Sequence, residues 1–293
     1  MADPAHPRHW QRGALHTWRF GLSAAEPAIL EHAPSADPAP TYYDMHLELE
    51  FGVVLEGVME RSFEGFTREL GPGDVWYCGV WEPHGSRVMR RGTESLHFVA
   101  LPTWLSALRF PEAPAFAPIL PFTVPPSRRP RPDAPLRERI RGLGRALIAA
   151  RDAGSAPALR ASLGMLQLLL LAQAGWQAPR ASAPPQEYGR LTPALALAQA
   201  ARGPVGEAEA ARACAMTRAR FATRFAQVIG LSFTRFAMRC RLGGAARQLL
   251  GGDDPLKKVA YDWGFTDASH FHRTFQKHYG TTPGAYRAGA GGG

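Results

Sequence analysis

The chain has 293 residues, 45% of them hydrophobic and 20% charged, a length and composition that suit two buried cores better than one. It has no apolar run of the roughly 18 residues a membrane span needs, and Met1 to Arg12 lacks the apolar core of a secretory signal. Of the net charge of +9, residues 191–293 carry +8, with 14 basic against 6 acidic side chains, which suits a solvated basic surface or a polyanionic partner. Three scattered cysteines, Cys78, Cys214 and Cys240, fit reduced thiols in a cytoplasm rather than a disulfide framework or a zinc knot.

Residues 15–110 are rich in Val, Leu, Phe, Trp and Glu, with Gly and Pro at short intervals, which predicts many short strands. Met45 to Phe51 alternates strictly and predicts a strand with Met45, Leu47, Leu49 and Phe51 on one face and His46, Glu48 and Glu50 on the other. Gly57 and Leu70-Gly71-Pro72-Gly73-Asp74 punctuate further strands, Val75 to Cys78 and Leu96 to Leu101 are strand-like, and Pro83-His84-Gly85 closes a turn. This order of His-x-Glu, Gly57, Pro72-Gly73-Asp74 and Pro83-His84 resembles a cupin, a small double-sheet jelly-roll barrel. In metal-binding cupins the positions of His46, Glu48 and His84 carry ligands, although such cupins often have a second His where Glu48 stands. From the residues alone, His46, Glu48 and His84 could hold a metal, line a polar pocket or face solvent. Trp76, Tyr77, Trp81 and His97 could flank a small-molecule pocket or fill the core.

Residues 111–176 begin with a Pro- and Arg-rich strap, Pro111 to Pro135, followed by helical patterns over Leu136 to Arg151 and Ala158 to Trp176. The second helix is apolar nearly all round, as expected where it meets several neighbours or a second subunit. Residues 177–190, with three prolines, form the expected linker, and the Gly-rich tail from Ala288 should carry no regular structure.

From Leu191 to Arg287 the pattern is helical. Asp253 or Asp254 is expected to cap a helix that begins at Pro255 and ends at Trp263-Gly264-Phe265, with Gly264 supplying a left-handed turn. Asp267 caps the next helix, whose Phe271 and Phe275 face the core while Ser269, His270, Arg273 and Lys277 lie outside. A second copy lies about fifty residues earlier: Glu207 to Cys214, a turn at Ala215-Met216, a cap at Thr217, and a helix to Ile229 with Phe221 and Phe225 at the same spacing. Two short helices joined by a tight turn, twice over, are helix-turn-helix units, with Phe233 to Leu250 as the connecting helix.

The run Gly264-Phe265, Asp267, Ser269, Phe271, Arg273, Phe275, Lys277, Gly280, Thr282-Pro283, Tyr286-Arg287 resembles the signature of the AraC/XylS regulators. Arg241-Leu242, Ala245 and Leu249-Leu250 are similar to that family's connecting helix, which Gly243-Gly244 interrupts here. The fold implied is α+β in two domains: an N-terminal all-β cupin-like jelly-roll barrel with helices, and an all-α domain at 191–287 with two helix-turn-helix units. The function implied is a sequence-specific DNA-binding transcription regulator that answers to a small-molecule effector. The resemblance places base-facing positions on Ser269, His270 and Arg273 of one unit and on Ala219, Ala222 and Thr223 of the other, with Arg220, Arg224 and Lys277 as further DNA contacts. Its partners would be duplex DNA, an effector, RNA polymerase and a second copy of the chain. Neither a cofactor nor a catalytic role is expected, since no Walker loop, nucleophile elbow or HExxH occurs. The alternatives are a metal-dependent cupin enzyme fused to a DNA-binding module, and a regulator that needs no ligand.

Overall fold

The computed structural model describes residues 15–17, 20–35, 37–38, 42–63, 66–114, 116–150, 156–177, 186–279 and 281–289. The described residues of 19–41 and 46–189 form one unit, and those of 1–18, 42–45 and 190–293 form the other. The first unit is built on two antiparallel sheets. In one, β2 (Ala28–Ser35), β9 (Thr93–Ala100), β4 (Leu49–Glu56) and β7 (Val75–Cys78) are neighbours in that order. In the other, β5 (Met59–Phe63) lies between β6 (Phe66–Leu70) and β8 (His84–Val88).

β4 is buried from Leu49 to Leu55 because it is covered on both faces. Phe51 lies opposite Tyr77 on β7 and Phe98 on β9, an aromatic row with ring centroids 5.1 and 6.2 Å apart. Its other face meets the interior cluster of Val54, Met59, Phe63, Leu70, Trp76 and Cys78. Gly52 is required there: a Cβ would lie 1.9 Å from the Trp76 indole, which crosses it.

The strand predicted over Met45 to Phe51 is not continuous. β3 (Tyr42–Met45) ends before a bend at 47–48, and β4 starts at Leu49. Alternation persists across the break, so the pattern alone hid it. The solvent-face reading of His46 and Glu48 also fails, since they are 1% and 6% exposed. β3 pairs in parallel with β1 (Leu15–Thr17), with Leu15 opposite Tyr43, and both strands fall in the second unit.

After β9 come α1 (Pro102–Ala107), α2 (Leu120–Thr123) and a 3-10 turn at Pro126–Arg128. α3 (Ala134–Ala149) is capped by Asp133, whose carboxylate accepts the Leu136 amide at 3.0 Å. Gly144 lets α3 approach Leu55 of β4, and Gly164 lets α4 (Pro157–Ala172) approach Leu147 of α3. One side of α4 is buried through Ala161, Met165, Leu168, Leu169 and Ala172, while Leu159, Leu163 and Leu170 are each more than half exposed.

The second unit carries α5 (Gln186–Ala200), α6 (Glu207–Ala213), α7 (Arg218–Ile229), α8 (Phe233–Leu250), α9 (Leu256–Asp262), α10 (Ala268–Tyr279) and α11 (Pro283–Gly289). α5 starts inside the expected linker, whose residues 178–185 lie outside the described residues, as does Gly280. α11 extends into the expected tail as far as Gly289. Neither Asp253 nor Asp254 caps α9. Pro255 holds the cap position without a side-chain bond, and Asp254 is engaged by Gln248 and Lys258 at 2.7 and 3.2 Å.

Candidate nucleic-acid interface and effector site

The two helix pairs α6–α7 and α9–α10 share one turn. After α9, the amides of Trp263, Gly264 and Phe265 donate to the carbonyls of Val259, Tyr261 and Ala260 at 3.2, 3.0 and 2.9 Å. After α6, the amides of Cys214, Ala215 and Met216 donate to Ala210, Arg212 and Ala211 at 3.2, 3.0 and 2.9 Å. Gly264 has φ +66° and Ala215 φ +51°, so both turns pass through the left-handed region. Thr217 then caps α7, accepting the Arg220 amide at 3.4 Å, and Asp267 caps α10, accepting the His270 amide at 2.6 Å. The His270 amide, with that of Ser269, holds the Asp267 carboxyl below its ordinary pKa.

Each second helix buries its phenylalanines and exposes the opposite side. Phe221 and Phe225 of α7 pack with Phe233 and Phe236 of α8, while Ala219, Arg220 and Thr223 are exposed and Ala222 and Arg224 half-buried. Phe271 and Phe275 of α10 pack with Phe265 and Tyr286, leaving Ser269, Arg273 and Lys277 exposed one helical turn apart, with His270 half-buried beside them. The turn before α10 is clamped from α8. Arg241, 6% exposed, donates to the carbonyls of Trp263 and Gly264 at 2.8 to 3.0 Å and lies 4.5 Å over the Phe265 ring. Gly244 leaves room for the Trp263 ring, which a Cβ would meet at 1.9 Å, and Gln248 accepts the indole N–H at 2.7 Å.

In the two-sheet unit a second constellation centres on Glu50. Its Oε1 accepts from Arg61 at 2.7 Å and from the Trp76 indole at 2.6 Å. Its Oε2 lies 3.3 Å from His46 Nε2 and 3.2 Å from His84 Nε2. Burial opposes ionisation of Glu50, yet Arg61, His84 and His46 together hold its pKa well below the usual carboxylate value. Burial, followed by the Glu50 charge, raises the pKa of neighbouring Cys78, whose sulfur takes an Arg61 N–H at 3.2 Å. Both imidazoles are fixed at the other nitrogen: Nδ1 of His46 donates to the Glu48 carbonyl at 2.9 Å, and Nδ1 of His84 to that of Glu82 at 2.7 Å. A carbonyl can only accept, so in a neutral ring the hydrogen sits on Nδ1 and Nε2 presents a lone pair. Two lone pairs then face a carboxylate oxygen, an arrangement that a second ring proton or a cation satisfies.

Residues 210–289 match the family described as a helix-turn-helix domain. The HTH-type transcriptional regulator MtrA of Neisseria gonorrhoeae is 36% identical over 76 residues, and a putative AraC-like transcription regulator of Streptomyces antibioticus is 35% identical over 80. Residues 210–289 form a helix-turn-helix domain similar in sequence to those of regulators named as HTH-type and AraC-like. The MtrA match covers 26% of this chain, and the chain spans about a quarter of the length of the curated relatives it matches. Over nearly the whole chain the fold is similar to the crystal structure of ToxT from Vibrio cholerae O395, with a TM-score of 0.52 at 9% identity over 91% of this chain and 98% of that one. Another ToxT structure, similar at a TM-score of 0.54 and 9% identity over 89% of this chain and 98% of that one, is bound to (E)-4-(8-methylnaphthalen-1-yl)but-3-enoic acid.

In the helix-turn-helix domain, all nine residues expected to contact DNA lie on α7 and α10, off the faces that carry Phe221, Phe225, Phe271 and Phe275. In the two-sheet unit, His46, His84 and Trp76 gather on Glu50. Trp81 reaches the cluster through its backbone, its amide donating to the His46 carbonyl at 2.8 Å. His97 packs edge-on against Trp76 with ring centroids 5.0 Å apart. Glu48 is buried beside His46, and its Oε2 has no hydrogen-bond partner. The hub, Glu50, was missed as a site residue although it belongs to the same alternating run, and so were Arg61 and Cys78. Arg61 sits between Met59 and Phe63 on the inward face of β5, where a charge needs a buried partner.

Proposed function

We propose that the chain is a transcription regulator that binds duplex DNA through its AraC-type domain and answers to a small molecule held by its N-terminal unit. The exposed stripe Ser269–Arg273–Lys277 on a capped second helix carries this reading, because a helix-turn-helix presents that face to the major groove. Arg273 has the fork geometry to bind guanine in two places, Ser269 and His270 suit bases or phosphates, and Ala219 and Ala222 offer only a methyl surface. The curated relatives are named as transcriptional regulators, and one ToxT structure holds a small organic acid; both favour regulation over catalysis. The test is to select genomic fragments with the full chain and titrate them against salt. Binding that falls steeply with salt on a recurrent motif is expected, and binding indifferent to salt overturns the reading.

The chain would act as a homodimer. Leu159, Leu163, Leu166 and Leu170 of α4 follow a four-three-four spacing, the seam spacing of paired helices. A monomer at tens of micromolar in sedimentation overturns that. RNA polymerase would be the further partner and the cytoplasm the compartment, in keeping with three free cysteines.

A second reading rests on the paired lone pairs at Glu50: the barrel would hold a divalent transition-metal ion on His46, Glu50 and His84. His46 and His84 would then be neutral, each fixed by its backbone carbonyl. Metal analysis of the purified chain decides it, and a metal content near zero after incubation with zinc or iron discards it. Turnover by the loaded chain would favour the enzyme alternative.

A further inference from the structure

Between the turn and the cap of α10 stands Thr266, a residue without a counterpart in the first helix pair, where Met216 runs directly into the cap Thr217. The Thr266 hydroxyl lies 3.4 Å from Asp267 Oδ2 and 3.1 Å from His270 Nδ1. The Asp267 carboxyl is held below its ordinary pKa, against the effect of burial, by the His270 amide, then by the Ser269 amide, the Thr266 hydroxyl and the Arg273 charge. It is therefore a carboxylate and can only accept. A hydroxyl has one hydrogen to give, and here two neighbours compete for it. If Thr266 gives it to His270 Nδ1, its oxygen lone pairs face the carboxylate and that contact is repulsive. If Thr266 gives it to Asp267, its lone pairs face Nδ1, and a hydrogen on Nδ1 completes a second bond. The second arrangement makes two hydrogen bonds, one of them to a charged acceptor, where the first makes one.

The chain Asp267–Thr266–His270 thus fixes the neutral His270 ring with its hydrogen on Nδ1, so that Nε2 carries a lone pair. The ring is steadied by Phe265, edge to face with centroids 5.5 Å apart, and it stands half-buried between the exposed Ser269 and Arg273. Arg273 and Lys277 can only donate, which suits the O6 and N7 of guanine or the O4 of thymine. A lone pair on Nε2 is repelled by those atoms and suits an amino group, which adenine presents at N6 and cytosine at N4. We infer that His270 reads a base as a hydrogen-bond acceptor, selecting the exocyclic amino group of adenine or cytosine, with Thr266 as the positioning residue that sets its tautomer. The inference rests on the proposed reading of α10 as a major-groove helix, and it names what one position on that helix selects.

The test has two arms, both on the full-length chain. The first is nitrogen NMR of the imidazoles at pH 8, with His270 assigned by comparison with His270→Gln. A bare Nε2 and a protonated Nδ1 are expected. Thr266→Val should return the ring to a mixture or to the opposite tautomer, and Thr266→Ser should restore it. A wild-type ring with its hydrogen on Nε2, or a Thr266→Val ring unchanged, overturns the inference without any DNA present. The second arm uses the duplex motif recovered by genomic selection. Each adenine is replaced in turn by purine, which lacks the N6 amino group, and each cytosine by 2-pyrimidinone, which lacks that at N4. One such removal should weaken wild-type binding about three- to tenfold and leave His270→Ala and Thr266→Val binding nearly unchanged. Coupling of His270 to a 7-deaza purine instead, which lacks the N7 acceptor, or to no base at all, overturns the inference. A recurrent, salt-sensitive motif without amino-group coupling keeps the regulator reading and loses the inference. Failure to select any motif overturns the regulator reading and the base contact together, whatever tautomer the first arm finds.

Discussion

The first and second helix-turn-helix units reach the same backbone turn from different residues. Where the second has Gly264 at φ +66°, the first has Ala215 at φ +51°, and a Cβ in the left-handed region costs on the order of 1 kcal/mol. The second unit's cap bond is 2.6 Å from an aspartate, the first's 3.4 Å from a threonine. The second also inserts one more residue, Thr266, between turn and cap, and Thr266 reaches His270 at 3.1 Å. The second turn is gripped from α8 by Arg241, Gly244 and Gln248. The backbone hydrogen bonds define the motif, and the side chains around them decide how firmly it is held. The unit with the polar outer face of Ser269, Arg273 and Lys277 has the shorter cap bond and the clamped turn.

That contrast can be probed first through acid. His278 on α10 stands where α7 has Val228, and burial, with the charges of Arg239 and Arg235, pushes its pKa down to about 3. An unfolded chain takes up that proton near the ordinary value of about 6.5. The second unit should therefore be fully stable above that pH and lose about 1.4 kcal/mol per pH unit as pH falls toward 3. Urea unfolding at several pH values measures the slope, and His278→Val should flatten it. Next in size, Arg241→Met strands the carbonyls of Trp263 and Gly264 and should cost about 2–3 kcal/mol in the same assay. A cost no larger than that of a surface Arg→Met change would break the clamp argument. Gly244→Ala drives a methyl into the Trp263 ring and should cost about 1–3 kcal/mol.

On DNA, Arg273→Ala should lose about 1–3 kcal/mol and blur one base of the motif, whereas Thr223→Ala in the first unit should change selectivity little. If Arg273→Ala weakens all sequences equally, Arg273 holds a phosphate instead. The smallest expected effect runs the other way. Ala215→Gly relieves the left-handed alanine and should stabilise the first unit by up to about 1 kcal/mol, while Gly264→Ala should destabilise the second.

Much of the helical domain was legible because its signals are local. Phe221/Phe225 and Phe271/Phe275 announce two core-facing helices, Thr217 and Asp267 announce their starts, and Phe233 to Leu250 is the observed span of α8. What escaped depends on contacts distant in sequence. Gly243-Gly244 reads as a weak point until Trp263 is placed over Gly244. Asp254 reads as a cap until Gln248 and Lys258 draw its carboxylate away. In the two-sheet unit, alternation through His46, Glu48 and Glu50 could not reveal a break at 47–48, nor that Glu50 collects partners from β5, β7 and the start of β8.

The connecting helix α8 joins the two helix-turn-helix units as a rod. Its 18 residues span about 27 Å at 1.5 Å per residue, and it is buried along most of its length, so it can neither stretch nor turn freely. If both second helices engage one duplex, as proposed, a rod of fixed length and rotation makes them a caliper: the duplex would have to present its two contact patches at one spacing and one angular phase. Adding a single residue within α8 would swing one helix pair by about 100° relative to the other, and the proposed two-site grip on one duplex would be lost.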